Sequence, residues 1–360
     1  MDPYQVWHDH WFGKDVFGQN QRYQNAGLIR RYLECQDCRE AAVLVGTSLS
    51  ENTTVTDLKE ITGLNNAVRL LAKGSYPVEH KYMLTRALNS GRVKVLFWEI
   101  YRNYVTSNFD QFPNANSFPV HLYTKAKTDD FAYFLNHDLF RHSIKLALGR
   151  SDWISSTDSL NSWHNKALKN RNYQIWNSPE VLVNLKSTWE PMIVNWQKSE
   201  PQWLQDAPVF DQYIVPIVEN YPEVQFVFFI PPVSLVRQTQ DGPERLSAKL
   251  ALRKKLAALA TAHRNVSLYA FDDYQPLVSD MAYYKDPGHY TKGVDRWILE
   301  RMADSDQRFS ITSENVREYG SGLWQLVLDY VPTSSCETSL EICGIFDPNV
   351  LPQSTESKTL

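Results

Sequence analysis

The sequence lacks an unbroken apolar run long enough to cross a bilayer. Its longest, around Val224–Val233, is interrupted by Gln225, Pro231 and Pro232, whereas a spanning helix needs roughly 18 or more apolar residues. No secretory leader is legible at Met1, although a chain trimmed of its targeting segment would read the same way. A dense Lys/Arg block is also missing and the formal charge is -4. A dedicated nucleic-acid binder usually carries a basic face, so no nucleic-acid partner is expected. There is no phosphate-cradling Gly-rich loop, no His-Glu-x-x-His and no Gly-x-Ser-x-Gly elbow. Cofactor, metal and nucleotide are therefore not expected.

Cysteine is scarce. The four residues fall in two close pairs, Cys35/Cys38 and Cys336/Cys343. Pairing of this kind fits disulfides in an oxidising compartment, inert thiols, or half of a metal site. The second pair is spaced too widely for a zinc ribbon, and no nearby histidine completes one. His8 and His10 read as solvated residues, and His80, His137, His142 and His164 show no ligand spacing. Asn52-Thr53-Thr54 and Asn265-Val266-Ser267 match the glycosylation tripeptide, a pattern that often arises by chance.

What is present is an ordinary globular balance, 43% hydrophobic and 22% charged over 360 residues, enough to build a buried core in one large or two modest domains. Short apolar runs alternate with helical patterns. Ala41–Val45, Asn66–Ala72, Val93–Trp98, Phe226–Ile230 and Val266–Ala270 read as strands, several of them continuous runs that suit burial on both faces. Pro77–Asn89, Val209–Asn220, Glu244–His263 and Thr291–Ala303 read as helices. The third places Leu246, Leu250, Leu256 and Ala257 near one stripe; the fourth offers Thr291 as a cap. This alternation predicts an α/β fold with a mainly parallel sheet.

Roughly 100 residues separate the third and fourth strands, far more than an ordinary connection. They include Trp153, Trp163, Trp176, Trp189 and Trp196. The stretch reads either as a helical insertion over the ligand edge of the sheet or as an extra packing layer. The expected organisation is a lead-in over 1–40, a catalytic core over 41–107 and 206–330, an aromatic-rich insertion over 108–205, and a polar tail over 331–360.

Two short blocks carry chemistry. In Val43-Leu44-Val45-Gly46-Thr47-Ser48 a strand runs out at a glycine and a serine follows at the turn. In an open α/β sheet, ligands bind outside the carboxyl ends of the strands, so Ser48 is placed to meet one. A serine needs a base to become a nucleophile, and alone this one fits a structural turn better than a catalytic role. The second block is Asp286-Pro287-Gly288-His289. A turn there can fold the carboxylate back onto the imidazole, fixing its tautomer and stabilising the imidazolium. Alone it also fits a simple turn with a surface histidine.

Together, Gly46-Thr47-Ser48-Leu49-Ser50 and Asp286-Pro287-Gly288-His289 resemble the nucleophile block and the closing Asp-x-x-His block of the SGNH (GDSL-like) hydrolase and acyltransferase superfamily. Order and separation both match. The resemblance covers about 41–303, with the inserted segment unmatched. It implies a three-layer α/β/α fold and a catalytic set of Ser48, Asp286 and His289. Leu70-Leu71-Ala72-Lys73-Gly74-Ser75 resembles the family's oxyanion glycine block, which implies the Ser48 and Gly74 amides as donors. The family's Gly-x-Asn-Asp block has no counterpart after the third strand. Asn103 is the only nearby amide, at a different spacing, and is the candidate for a third oxyanion donor.

That departure, the opening Asp2-Pro3-Tyr4 and the segment Phe229-Ile230-Pro231-Pro232-Val233-Ser234 are similar to the divergent bacterial envelope branch, which includes DltD-like and polysaccharide O-acetylation proteins. This branch implies a periplasmic or other extracytoplasmic location, with an N-terminal membrane anchor in a longer form. It also implies acyl-ester hydrolysis or O-acyl transfer, of acetyl in the first instance, on an envelope glycan. The expected partners are an acylated glycan or acyl donor and a membrane acyltransferase. Two rival readings are a DltD-like thioesterase acting on an acyl carrier, and a non-catalytic glycan-binding or assembly protein that keeps the fold.

Overall fold

The computed structural model describes residues 20–106, 108–112, 118–124 and 207–330, together with residues 6, 133, 140, 141, 143, 144 and 148. The inserted segment and its tryptophans lie largely outside the described residues. Cys336/Cys343, His8/His10, His137, His142 and His164 also lie outside them.

Five strands form one all-parallel sheet: β1 (Ala41–Gly46), β2 (Asn66–Leu71), β3 (Val93–Glu99), β4 (Gln225–Ile230) and β5 (Val266–Ala270), in the order β2-β1-β3-β4-β5. The apolar runs end within a residue of where the sequence predicts. β1 is buried at every position, and Phe226 and Phe228 of β4 are wholly inaccessible. Burying one such aromatic side chain stabilises the fold by about 1.5–3 kcal/mol. A strand covered on both faces needs no polar alternation, which is why these segments read as continuous apolar runs.

The helices are α1 (Gln21–Tyr32), α2 (Val55–Thr62), α3 (Pro77–Asn89), α4 (Val215–Asn220), α5 (Leu235–Ala262), α6 (Gln275–Val278), α7 (Lys292–Ala303) and α8 (Val316–Asp329). α2 packs against α7 on one side. A linked set on the other side runs from α1 through α3 and the turn Phe210–Ile214 to α5 and α8. Helices on both faces of a parallel sheet make a three-layer α/β/α fold: the parallel α/β class is what the alternation predicts, and the three layers are what the motif resemblance implies. Residues of the lead-in form α1, which packs on β2 and α3.

Three helical expectations need correction. The segment ending at Asn220 opens with a wider π-type turn over Phe210–Ile214 before α4 begins. α5 begins at Leu235, capped by Ser234, and breaks where Gly242 leaves helical geometry ahead of Pro243. Proline cannot donate to the preceding turn, so the sequence reading mistook this internal break for a helix start. Thr291 stands at the N-cap position of α7, but its side chain caps nothing.

The strand order reverses between β1 and β3. Such a switch point opens a crevice at the carboxyl ends of the strands. Ser48 follows β1 there, and Glu99 ends β3 beside it.

Candidate active site

The turn after β1 is built around a carboxylate. Glu99 is fully buried. Its Oε1 accepts from the Thr47 amide at 3.2 Å and the Thr47 hydroxyl at 2.6 Å, and its Oε2 accepts from the Ser50 hydroxyl at 2.5 Å. Gly46 makes room for it, since a Cβ there would lie 2.7 Å from Glu99 Oε2. Thr47 Oγ1 also accepts from the Leu49 amide at 3.3 Å, capping the 3-10 turn Ser48–Ser50. Thr47, Leu49 and Ser50 are buried, while Ser48 keeps partial access. The turn is thus tied from beneath and presents one hydroxyl upward. Burial raises the Glu99 carboxyl above its usual range, against the pull of the Ser50 and Thr47 donors and of nearby His289.

Asp286 folds its own loop. Its Oδ1 accepts from the amides of Gly288 and His289, each at 3.0 Å, so the side chain closes the turn that Pro287 and Gly288 begin. The carboxylate then receives His289 Nδ1, at 2.8 Å from Oδ1 and 2.9 Å from Oδ2. Ser234 at the start of α5 pins the loop by donating its hydroxyl to the Pro287 carbonyl at 2.6 Å. Burial works to raise the Asp286 carboxyl. The His289 hydrogen bond and charge and the two backbone donors outweigh it and hold the carboxyl below its usual range.

These two loops meet. His289 Nε2 lies 2.8 Å from Ser48 Oγ across 241 residues of sequence. With Asp286 on Nδ1, Nε2 is left as the acceptor for the Ser48 proton. A serine, a histidine and an ionised carboxylate in one hydrogen-bonded chain can perform nucleophilic acyl transfer. The three residues singled out from sequence are therefore brought together.

The implied oxyanion residues line the same cavity of about 660 Å³ as Ser48 and His289. Gly74 sits in the turn closed by the Ser75 amide on the Ala72 carbonyl, with φ at +58°. That left-handed geometry favours glycine. Ser48 opens its 3-10 turn, where an amide has no acceptor within the turn. Asn103 also reaches the cavity, and one hydrogen of its amide goes to the Ser75 carbonyl at 2.6 Å.

Behind this wall lies a buried relay. His80 lies between two hydroxyls, with Nε2 2.7 Å from Ser75 Oγ and Nδ1 2.6 Å from the Tyr104 oxygen, one ring nitrogen donating and the other accepting, and Trp98 Nε1 donates to that same Tyr104 oxygen at 2.6 Å. Burial, with help from the Arg22 charge, pushes the His80 imidazole down to about 3. His80 is thus a neutral strut holding the Gly74–Ser75 turn. Among the described residues no cluster of His, Cys, Asp or Glu has the makings of a metal site.

Cys35 and Cys38 are bonded to each other just after α1. Asn52, the first formal glycosylation site, is almost fully buried and unavailable to a transferase.

Glu99, His80, Arg102 and Arg237 were missed from sequence. Glu99 had a signal, a charge ending an apolar strand at the switch point. The arginines had none, because the contacts that gather them join α5 to the loop after β3. No protein-family model matches the chain, and no curated protein matches it. The functional reading therefore rests on the geometry and on the motif resemblance.

Proposed function

We propose that the chain is a serine-dependent acyl-ester hydrolase or O-acyltransferase, working through an acyl-Ser48 intermediate on an envelope glycan. The observation that carries the reading is the hydrogen-bonded chain Ser48–His289–Asp286 at the rim of an open cavity. His289 Nε2 takes the Ser48 proton as Oγ bonds to the ester carbonyl carbon. The Ser48 and Gly74 amides receive the oxyanion. The tetrahedral intermediate collapses, the ester C–O bond breaks, and the leaving alkoxide takes the proton from the imidazolium. Water or a glycan hydroxyl then gives a proton to His289 and attacks the acyl carbon. Ser48 leaves with that proton restored.

The SGNH resemblance supports the same reading, because the residues it implies are the residues that meet. Tyr76 and Tyr101 in the cavity wall offer apolar faces of the kind that sugar rings stack on. The Cys35–Cys38 bond fits the extracytoplasmic location that belongs to this proposal. A membrane acyltransferase is the proposed donor-side partner. Among the described residues no helix is long and apolar enough to cross a membrane.

Replacement of Ser48 tests the reading. Ser48→Ala should lower p-nitrophenyl acetate turnover by about 10³-fold or more, with an unchanged circular dichroism spectrum. Undiminished turnover in the folded variant would refute the nucleophile assignment.

A further inference from the structure

One wall of the same cavity carries a charge imbalance that acyl transfer to Ser48 does not use. Arg102, Arg237 and Gln240 line the cavity together with Ser48 and His289. Among the described residues, Arg102 and Arg237 share a single counter-ion, Asp241, whose side chain is 2% exposed. Arg245 and Lys249 also converge on it. Lys249 is matched by the Asp241 Oδ2 that it holds at 2.6 Å, so the arginines alone are counted. Three guanidinium groups, charged at every accessible pH, face one carboxylate.

The contacts are also unequal. Lys249 holds Oδ2 at 2.6 Å, whereas the three arginines crowd Oδ1 at 3.3, 3.8 and 3.4 Å. One oxygen at those distances satisfies few of the donors that guanidinium forks present. Arg237 spends one more on Gln240 Oε1 at 3.3 Å and another on the Tyr101 hydroxyl, and both of these partners are uncharged. Among the described residues that line the cavity, the one carboxylate is Asp286, and it is engaged by His289. Among the described residues, the wall formed by Arg102 and Arg237 therefore keeps a positive surplus beside the nucleophile.

We propose that Arg102 and Arg237 form an anion subsite, and that the glycan acted on carries a carboxylate or phosphate group that docks there while its ester reaches Ser48. The subsite extends the acyl-transfer reading for the identity of the substrate, but anion binding itself requires no chemistry at Ser48. Arg237 lies in the first turn of α5, which Ser234 both caps and ties to the Pro287 carbonyl. Subsite and catalytic loop are thus held in one register.

The experiment is calorimetric titration of the full chain with matched ligand pairs: trigalacturonate against its methyl ester, and mannose 6-phosphate against mannose. At least one anionic member should bind about tenfold or more tightly than its neutral twin, two partly exposed ion pairs each contributing modestly. The preference should shrink with added salt and vanish in an Arg102→Gln/Arg237→Gln variant. The carboxylate and phosphate arms tell the two sources of charge apart. Equal affinities within both pairs, no binding by either anion, or a preference that survives the double substitution would overturn the subsite. Should the double variant fail to fold, the pairwise comparison and its salt dependence in the unaltered protein decide. Labelling of Ser48 by a fluorophosphonate is scored separately. An anion preference without labelling leaves the subsite standing and removes the acyl-transfer reading; labelling without preference does the reverse.

Discussion

The nucleophile turn and the arginine wall border the same cavity but are built in opposite ways. Beneath Ser48, a fully buried Glu99 accepts three hydrogen bonds, two of them short. Across the cavity, partly exposed arginines share one oxygen at 3.3–3.8 Å. Buried, well-satisfied polar groups fix a geometry because every alternative leaves a donor unpaired. Long, shared ion pairs near water fix little and contribute little stability. The first construction suits a hydroxyl that must meet His289 Nε2 within a few tenths of an ångström. The second suits a surface that adapts to a charged ligand.

The contrast breaks hardest at the catalytic chain. Asp286→Asn should lower kcat/KM by about 10²–10⁴-fold while leaving Ser48 in place, because the amide can hold the imidazole in the wrong tautomer. A pH–rate profile checks it. An Asp286→Asn enzyme as fast as wild type would reduce the pair to a turn.

Next in size is Glu99→Ala. It leaves the Thr47 amide and the Thr47 and Ser50 hydroxyls without their buried acceptor, and should cost about 3 kcal/mol or more in urea denaturation. Gly46→Ala presses a methyl group into that same carboxylate and should cost about 1–3 kcal/mol, with activity falling alongside because the turn beneath Ser48 shifts. At the other extreme, Arg245→Gln should change stability by no more than about 0.5 kcal/mol, since Lys249 and two further arginines still serve Asp241. A large loss there would show that the arginine wall is structural scaffolding after all.

A smaller effect concerns acid stability. The Asp286 carboxyl is held below its usual value in the folded chain. Its contribution is therefore present above the ordinary carboxylate range and lost as pH falls through the folded value. Asp286→Asn should flatten that part of the stability–pH curve in thermal melts between neutral and acid pH.

The sheet was legible because strands buried on both faces leave continuous apolar runs, and α3 because proline and glycine bracket it. α1 was invisible because it buries Gln21, Gln24 and Asn25, polar residues that weaken any apolar stripe. α2 carried a readable signature, the reciprocal Thr54–Asp57 capping box, which passed unnoticed beside Ser48. Asp286 and His289 were readable because three residues of spacing and a Pro-Gly turn suffice to join them. The Arg102–Asp241 contact was not, because residues more than a hundred positions apart leave no periodicity, and the four-residue spacing of Arg237 and Asp241 went unread because the helix was taken to start only at Glu244.

The central claim is that Ser48 is an activated nucleophile, and covalent labelling tests it most directly. The intact chain is treated with a fluorophosphonate, digested and mapped by mass spectrometry. The account predicts one adduct on the peptide containing Ser48, formed more slowly in His289→Ala. No adduct on Ser48, or labelling equally fast without His289, would contradict it.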